Sequence, residues 1–179
     1  MHILNTPLKE SDILNLNAGD NVLLNGTIFT ARDKAHLFLL EEDFPAVKNG
    51  IIYHAGPIIK GREVISAGPT TSARLNPYTP KLIKKYGIKA IIGKGGMNQS
   101  VVDALRGRAV YFSAIGGAGV LYAEAMKLKN VYKEEFGMPE AIWEFEVENF
   151  PVIVAIDAKG KSLYNETLKK SGEVFAKLV

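Results

Sequence analysis

The sequence has 179 residues, of which 47% are hydrophobic and 23% are charged, and this composition excludes a disordered chain and a small disulfide-stapled scaffold. The formal charge of +3 comes from basic residues that are spread along the chain, which argues against a clustered surface for nucleic acid. Cysteine is absent, so disulfides, thiol catalysis and ligation of an iron–sulfur cluster by this chain alone are excluded.

A strand followed by a helix begins the predicted fold. NVLLNGTIFT (residues 21–30) has the composition of a strand, and ARDKAHLFLLEE (residues 31–42) has apolar residues at helical spacing. Thr30 and Asp33 stand three residues apart as a capping pair, which predicts the start of the helix here. Arg32 is then expected in the first turn of that helix.

Two further strands are predicted next, IIYHAGPII over residues 51–59 and REVISAG over residues 62–68, because both are rich in β-branched residues and bounded by glycine. A tight connection is expected at Gly56 and Pro57. The first sixty or so residues are thus richer in strands than the remainder, which predicts a β-rich N-terminal layer beside an α/β layer.

Helices and strands alternate from Thr79 onward. Thr79 is expected to cap a helix that has Pro80 at its first position, and Gly87 is expected to end that helix. The later predicted elements are a strand over 88–93, a helix capped by Asn98 and ended by Gly107, a strand over 108–114, a glycine turn and helix over 116–130, strands over 141–148 and 151–160, and a helix over 166–177. This alternation predicts an α/β fold with a mixed, mainly parallel sheet in one domain, residues 1–179.

Glycine-bearing loops follow several of the predicted strands, at Gly68–Thr71, Gly93–Gly96 and Gly116–Gly119. In a parallel sheet the loops at the carboxyl ends of the strands share one edge, and ligands usually bind there. Glycine also lets backbone N–H groups approach an anion closely. We therefore expect these loops to converge on one site.

The side chains in and near these loops suit an anion. Thr70 and Thr71 offer hydroxyl donors. Arg74 offers a planar fork that fits a carboxylate, and Lys94 offers a compact positive charge. Arg32 adds another cation from the first helix, so the set suits a small molecule with two carboxylates. The structural alternative is that the glycines and threonines serve turns and that the cations are solvated.

Motifs for other ligands are absent from the sequence. Gly93–Gly96 does not match G-x-x-x-x-G-K-[ST] and Gly116–Gly119 does not match G-x-G-x-x-G, so a nucleotide site has no motif to support it. The histidines lack the close spacing of a zinc site. His36, on the predicted helix, is more often a packed or capping residue than a catalytic base.

The N-terminal segment and the apolar runs bear on location. Residues 1–20 lack the basic region and apolar stretch of a secretion signal, and the longest apolar runs are far shorter than a membrane span. We therefore expect a soluble, cytoplasmic protein with neither a membrane nor nucleic acid as its partner.

Five ordered segments carry a family resemblance: TARDKAH, SAGPTTSARLNPYTP, IIGKGGM, YFSAIGGAG and GMPEAIWEFEVENFPVIVAIDAKG. Together they resemble the β subunit, or C-terminal domain, of the iron–sulfur class I fumarate hydratases and the related L-tartrate dehydratases. The resemblance extends from about residue 20 to about residue 165. It implies a swivelling β/β/α domain, which would open and close over the active site.

The resemblance also implies an activity and a partner. Members of this family hydrate fumarate reversibly to L-malate with a [4Fe–4S] cluster, which cysteines of an α subunit or N-terminal domain hold. The present chain would then be inactive alone and would form a heterotetramer or other heteromer with an α subunit. The open alternatives are an L-tartrate dehydratase β subunit and a non-catalytic module that binds small anions.

Residue by residue, the resemblance implies roles for the polar side chains of the loops. Arg32, Arg74 and Lys94 match the positions that hold the substrate carboxylates. Thr70 matches a threonine proposed to exchange the C3 proton, and Thr71 matches its neighbour in the pocket. A threonine hydroxyl is a poor base unless its pKa is lowered, so the alternative role of Thr70 is to orient the substrate by hydrogen bonding.

Overall fold

The computed structural model describes residues 1–178, so Val179 at the end of the predicted domain lies outside the described residues. The strands are β1 (His2–Asn5), β2 (Asn21–Thr30), β3 (Ile51–Tyr53), β4 (Ile58–Lys60), β5 (Glu63–Ser66), β6 (Ala90–Gly93), β7 (Val110–Ser113), β8 (Met126–Tyr132) and β9 (Ile142–Ile156). The α-helices are α1 (Glu10–Leu14), α2 (Asp33–Glu41), α3 (Thr79–Tyr86), α4 (Gln99–Leu105), α5 (Gly119–Glu124) and α6 (Leu163–Phe175). Among the described helices none combines the length and the apolar character that crossing a bilayer requires.

A mixed sheet of seven strands, in the order β1-β2-β3-β6-β7-β9-β8, organises the fold. Strands β1, β2, β3, β6 and β7 pair in parallel, whereas β9 is antiparallel to β2, β7 and β8. Because β9 pairs with β7 on one edge and with β2 on the other, strands β2, β3, β6, β7 and β9 close into a ring. The predicted α/β class with a mixed, mainly parallel sheet is confirmed.

The predicted β-rich N-terminal layer is wrong for residues 1–178. Strands β1 to β3 lie in the same sheet as β6 and β7, and only the hairpin of β4 and β5 forms a separate sheet. The strand pairing explains this outcome, because β2 is bonded to β1, β3 and β9, and β3 lies between β2 and β6.

Hydrophobic side chains pack on both faces of the sheet. One cluster includes Tyr53, Phe112 and Phe145, and the other lies under α2, α3 and α4 and includes Leu39 and Ile83. Successive strand residues point to opposite faces, so neighbouring positions of one strand contribute to different clusters. This double burial holds the strand ends, and therefore the loops that follow them, in place.

Helix α2 begins near the predicted position but without the predicted cap. Arg32 occupies the N-terminal capping position, but its side chain makes no capping hydrogen bond. The hydroxyl of Thr30, which was expected to pair with Asp33, instead accepts a hydrogen bond from the backbone N–H of Trp143 at 3.1 Å. A long-range partner from β9 therefore replaces the local capping pair.

Helix α3 confirms its predicted end but not its predicted cap. Tyr78 precedes the helix, and the Thr79 hydroxyl donates to the carbonyl of Leu75 at 2.9 Å. Pro80 lies in the first turn, where a missing N–H costs nothing. Gly87 ends the helix in the left-handed conformation, with φ of 64°, as predicted.

The predicted cap of α4 is confirmed, since Asn98 Oδ1 accepts the N–H of Val101 at 3.2 Å. The strand predicted over residues 51–59 is instead divided into β3 and β4, and the tight turn joins β4 to β5 at Gly61. Gly61 has φ of 63°, the left-handed conformation that a two-residue hairpin turn favours.

Two predictions in the last third of the chain are corrected. The helix predicted over residues 116–130 ends at Glu124, and β8 follows, with lysines at the exposed positions as edge strands often have. The strands predicted over 141–148 and 151–160 are one continuous strand, β9. Asn149, with φ of 52°, bends the chain where a break was expected, and its N–H is bonded to the side chain of Asn25 at 2.8 Å.

Candidate functional site

The loops after β3, β5, β6 and β7 converge on one side of the sheet, and we call residues 54–57, 67–75, 93–97 and 114–119 the loop face. The N–H of Thr70 donates to the carbonyl of His54 at 2.7 Å. The N–H of Lys94 donates to the Thr70 carbonyl at 3.3 Å, and the N–H of Ser72 donates to the Lys94 carbonyl at 3.0 Å. Backbone hydrogen bonds therefore join the threonine segment to two strand ends.

Close backbone contacts join the third glycine loop to the first. A Cβ on Gly119 would lie 2.9 Å from the nitrogen of Gly68 and 2.5 Å from the hydroxyl of Ser66. A Cβ on Gly116 would lie 3.4 Å from Cδ of Lys94, so the lysine stem runs beside that loop. The predicted convergence of the glycine loops is thus observed, and Gly119 is required for it.

Arg32 is half-buried at the rim of the loop face and is held from two directions. Its Nε lies 3.4 Å from Oε1 of Glu140, and the other Glu140 oxygen accepts the N–H of Lys34 at 2.9 Å. Gly56 leaves room for the guanidinium, because a Cβ there would lie 2.8 Å from Nη1 of Arg32. One carboxylate therefore both orients Arg32 and satisfies a free N–H at the start of α2.

Arg74 links the threonine segment to the start of α2. Its Nη2 donates to Oγ1 of Thr70 at 3.0 Å and lies 3.4 Å from Oδ2 of Asp33. The Arg74 side chain is 48% exposed, so its remaining donors face solvent. Thr71 is exposed and is paired with Lys94 through a parallel bridge. All five predicted site residues, Arg32, Thr70, Thr71, Arg74 and Lys94, thus belong to one neighbourhood.

The charges of this neighbourhood are unequal. The carboxylates of Asp33 and Glu140 accompany the cations Arg32, Arg74 and Lys94. Within residues 1–178 the Lys94 ammonium has neither an ion pair nor a hydrogen bond. The loop face therefore keeps an excess positive charge with free donors, which suits a small anion.

Two buried histidines lie beneath the loop face. The His36 Nδ1 contacts the carbonyl of Arg32 at 2.8 Å, and the ring centroids of His36 and His54 are 5.1 Å apart. Burial lowers the pKa of His36 to about 4, and burial together with the neighbouring His36 lowers the pKa of His54 well below its ordinary value. Both rings are therefore neutral at physiological pH, which favours the interpretation of His36 as a packed residue.

The prediction from sequence missed several polar residues of this site. Glu140 lies 106 residues from Lys34, whose N–H it accepts, and no local pattern relates it to Arg32. Ser72 and Tyr111 form a buried hydrogen bond 39 residues apart in the chain. Gly93 was a sequence signal that pointed to Ser72, because a Cβ at Gly93 would overlap the Ser72 hydroxyl. Only the folded chain reveals that this hydroxyl occupies the space beside Gly93.

The donor atoms of this chain do not fit an iron–sulfur cluster. Cysteine is absent from the sequence. Residues 1–178 also contain no group of three or more histidine, aspartate or glutamate side chains placed to hold a metal ion. No residue described here is therefore assigned to a cluster or to a metal.

A family model and several known relatives assign this chain to the same family. The family model described as "Fumarase C-terminus" matches residues 2–167. A protein of Geobacillus stearothermophilus with the provisional name fumarate hydratase class I is 44% identical over 178 residues, which cover 95% of this chain and 35% of that protein. This chain therefore spans only about a third of that relative.

Two relatives of similar length are β subunits by name. A protein of Methanocaldococcus jannaschii with the provisional name L(+)-tartrate dehydratase subunit beta is 46% identical over 186 residues, covering 96% of this chain and 95% of the relative. The L(+)-tartrate dehydratase subunit beta of Escherichia coli (strain K12) is 36% identical over 181 residues, covering 96% of this chain and 90% of the relative.

Proposed function

This chain belongs to the fumarase C-terminus family, and from that premise we propose that it is the β subunit of a [4Fe–4S]-dependent class I fumarate hydratase. The reaction is the reversible hydration of fumarate to L-malate. The excess positive charge of the loop face supports this function above all, because a dicarboxylate would neutralise it. The relatives are hydro-lyases by name, fumarate hydratase and L-tartrate dehydratase.

Arg32, Arg74 and Lys94 bind the substrate carboxylates in this proposal. The planar fork of an arginine can donate two parallel N–H bonds to one carboxylate, whereas a lysine adds a point charge. Arg74 has donors that face solvent, and Lys94 has none of its donors occupied within the described chain. Binding the substrate would therefore require little rearrangement of existing contacts.

Thr70 exchanges the C3 proton of the substrate in this proposal. In hydration the oxygen of a water molecule bonds to C2 and keeps one of its hydrogens, while the Thr70 hydroxyl donates its proton to C3. The other proton of that water restores the Thr70 hydroxyl, and in dehydration the same transfers run in reverse. Arg74 donates to Thr70 Oγ1 at 3.0 Å, and a neighbouring cation favours the negatively charged form of a hydroxyl. Thr71 lies beside it and adds a hydrogen-bond donor to the pocket.

A cysteine-bearing α subunit holds the cluster in this proposal, because the present chain lacks thiol ligands. The apolar side chains of Ile115, Val120 and Leu121 are exposed next to the glycine loops, and burying them against a partner would be favourable. We also propose that the domain swivels over the shared site, as the family resemblance implies. The complex with the α subunit is a heterotetramer or another heteromer in this proposal, and it is cytoplasmic.

An L-tartrate dehydratase β subunit is the second candidate, since the relatives that this chain covers almost completely carry that name. Malate and tartrate differ by one hydroxyl group, and no side chain of the loop face is assigned to it. Assaying one purified complex with both substrates at equal concentration would separate the two functions by their kcat/KM values.

Co-expression with the cysteine-containing product of a neighbouring gene tests the proposal. Under anaerobic conditions we expect the pair to elute as one heteromer and to interconvert fumarate and malate, whereas the isolated chain shows no turnover. Turnover by the isolated, metal-free chain would refute the shared site. A strictly monomeric chain in the presence of the α subunit would favour a free-standing anion-binding module instead.

A further inference from the structure

A buried chain of side chains connects the two halves of the loop face from below. Ser72 is fully buried, and its Oγ lies 2.8 Å from Nδ1 of His54 and 3.0 Å from the hydroxyl of Tyr111. The same Tyr111 hydroxyl lies 2.8 Å from the carbonyl of Gly95, in the loop that carries Lys94. One serine thus joins the end of β3, strand β7 and the loop after β6.

The direction of these bonds follows from counting hydrogens. The Gly95 carbonyl can only accept, so the single hydrogen of the Tyr111 hydroxyl is used there. Ser72 must then donate to Tyr111 if the 3.0 Å contact is a hydrogen bond, and His54 Nδ1 must donate to Ser72. Any other arrangement leaves two oxygens or an oxygen and a nitrogen in close contact without a hydrogen between them.

The other nitrogen of His54 agrees with this direction. His54 Nε2 is buried and has no hydrogen-bond partner within residues 1–178. A neutral imidazole carries one hydrogen, and a buried N–H without a partner is rarer than a buried lone pair. Placing the hydrogen on Nδ1 therefore satisfies the chain and leaves only the lone pair of Nε2 unused.

We propose that His54, Ser72 and Tyr111 are positioning residues that hold the Lys94 loop and the Thr70–Arg74 segment in register through a one-way hydrogen-bond chain with His54 as its Nδ1–H tautomer. Gly93 belongs to this device, because a side chain there would displace the Ser72 hydroxyl. The positioning of catalytic groups rests on the proposed function, whereas the tautomer and the hydrogen-bond chain do not.

Nitrogen NMR of the isolated full chain tests the hydrogen-bond chain directly. We expect the ring nitrogens of His54 to show a protonated Nδ1 and an unprotonated Nε2 at neutral pH. Detection of the Nε2–H tautomer would overturn the proposal. This measurement needs no partner and no activity.

Tyr111→Phe tests the positioning role, with Tyr86→Phe as a matched control. Tyr86 is also buried, and its hydroxyl also lies within hydrogen-bond distance of backbone carbonyls, those of Leu39 and Glu42, but it is not part of the loop face. We expect Tyr111→Phe to speed hydrogen exchange of the Ser72 and Lys94 amides by about 2- to 10-fold, the net effect of one hydrogen bond. Tyr86→Phe should leave these amides unchanged.

In the reconstituted heteromer Tyr111→Phe should lower kcat/KM for malate by about 10- to 100-fold, the cost of a displacement near 1 Å, while Tyr86→Phe should not change it. Equal kinetic and exchange effects of the two variants would make Tyr111 merely structural and overturn the proposal. Absence of turnover in the unmutated heteromer would instead count against the proposed function, and the tautomer and exchange results would still decide the hydrogen-bond chain.

Discussion

Two lysines show how the loop face differs from the junction of α2 and α3, which comprises residues 39–44, 85 and 86. Lys85 donates to carbonyl oxygens at the end of α2, those of Leu39 at 2.9 Å, Leu40 at 3.2 Å and Glu42 at 2.5 Å. Lys94 has no such partner within the described part of the chain. Lys85 thus stabilises a helix end, where a cation is favourable, whereas the donors of Lys94 stay free within residues 1–178.

The other polar and charged groups of the two regions differ in the same way. At the α2–α3 junction the polar hydrogens are used by backbone carbonyls, so the region is complete without a ligand. On the loop face an excess of cations stands beside the hydroxyl groups of Thr70 and Thr71. Beneath it, the buried Nε2 atoms of His36 and His54 have no hydrogen-bond partner within residues 1–178. Mutating a residue whose donors are already bonded within the chain should lower the free energy of unfolding. Mutating a residue whose donors are free should instead change substrate binding and turnover. The following predictions test this distinction.

Arg74 should give the largest effect. Arg74→Ala and Arg74→Lys should both lower kcat/KM for malate by roughly 30-fold to several thousand-fold, because a charge-assisted pair of about 2 to 5 kcal/mol is lost or loses its fork. Thermal melts of these variants should shift little, since exposed substitutions stay within about 0.5 kcal/mol.

The matched control for Arg74 is Arg106→Ala. Arg106 is similarly exposed, at 54%, and is paired with Asp103 away from the loop face. It should leave kcat/KM unchanged, and any small shift in its melt should come from the lost 2.7 Å hydrogen bond to the carbonyl of Lys159. Near-normal kcat/KM in Arg74→Lys would disprove the bidentate role, and unfolding of both Arg74 variants would show that Arg74 is structural.

The buried histidines should make the free energy of unfolding depend on pH. Burial lowers the pKa of His36 from 6.5 to about 4, so in this window the unfolded state binds a proton that the folded state does not. The stabilisation from neutral His36 is therefore fully present above pH 6.5 and is lost as the pH decreases toward about 4. The free energy of unfolding should decrease by about 3 kcal/mol over this range through His36 alone. His54 changes in the same direction and adds to the loss.

Urea unfolding of the isolated chain at several pH values from about 7 to 4.5 measures this slope. His36→Asn keeps an N–H donor for the Arg32 carbonyl but cannot titrate, so its slope should be smaller than that of the unmutated chain. The other groups near His36, Asp33, His54 and Tyr78, are the same in both proteins. Equal slopes would show that His36 is not buried in its neutral form.

Lys94 and Lys85 provide the most direct comparison of the two regions. Lys94→Met should lower kcat/KM by about 10- to 100-fold without lowering the melting temperature, because its charge is needed only by the substrate. Lys85→Met should destabilise the chain by about 1 kcal/mol, a shift of roughly 2 to 4 °C, and leave KM unchanged. The reverse pattern, a stability loss in Lys94→Met alone, would contradict the distinction.

Glu140 should give the smallest effect. Glu140→Gln keeps an acceptor for the Lys34 N–H but removes the charge that orients Arg32, so KM should rise by about 10-fold with a smaller change in kcat. Glu144→Gln is the control, because Glu144 is also largely buried and is paired with Lys129 and Tyr132, and none of these three residues belongs to the loop face. An unchanged KM in Glu140→Gln would mean that Gly56 and packing suffice to place Arg32.

The neighbourhood of the site could be predicted from the sequence because its geometry follows from a general rule. Loops at the carboxyl ends of parallel strands meet at one edge, and glycine, threonine, arginine and lysine in those loops offer donors to an anion. The structure brings Arg32, Thr70 and Arg74 together in this way. Their roles in catalysis stay predictions.

Local signals in the sequence determined several boundaries. Gly87 ends α3 in a left-handed conformation, and Asn98 caps α4, because both effects depend on the residue itself and on atoms within one helical turn. The alternation of helices and strands likewise predicted the α/β class. Such information needs no knowledge of distant segments.

Only the tertiary structure decided the partners that lie far apart in the chain. Thr30 bonds to Trp143 instead of capping α2, Glu140 reaches Arg32, and β9 stays continuous because β2 pairs with it along most of its length. These contacts depend on which strands become neighbours, and a single sequence does not specify that choice through spacing. A hydroxyl or carboxylate goes to whichever buried donor the finished fold leaves unpaired, since an unpaired buried group costs more than a local cap gains.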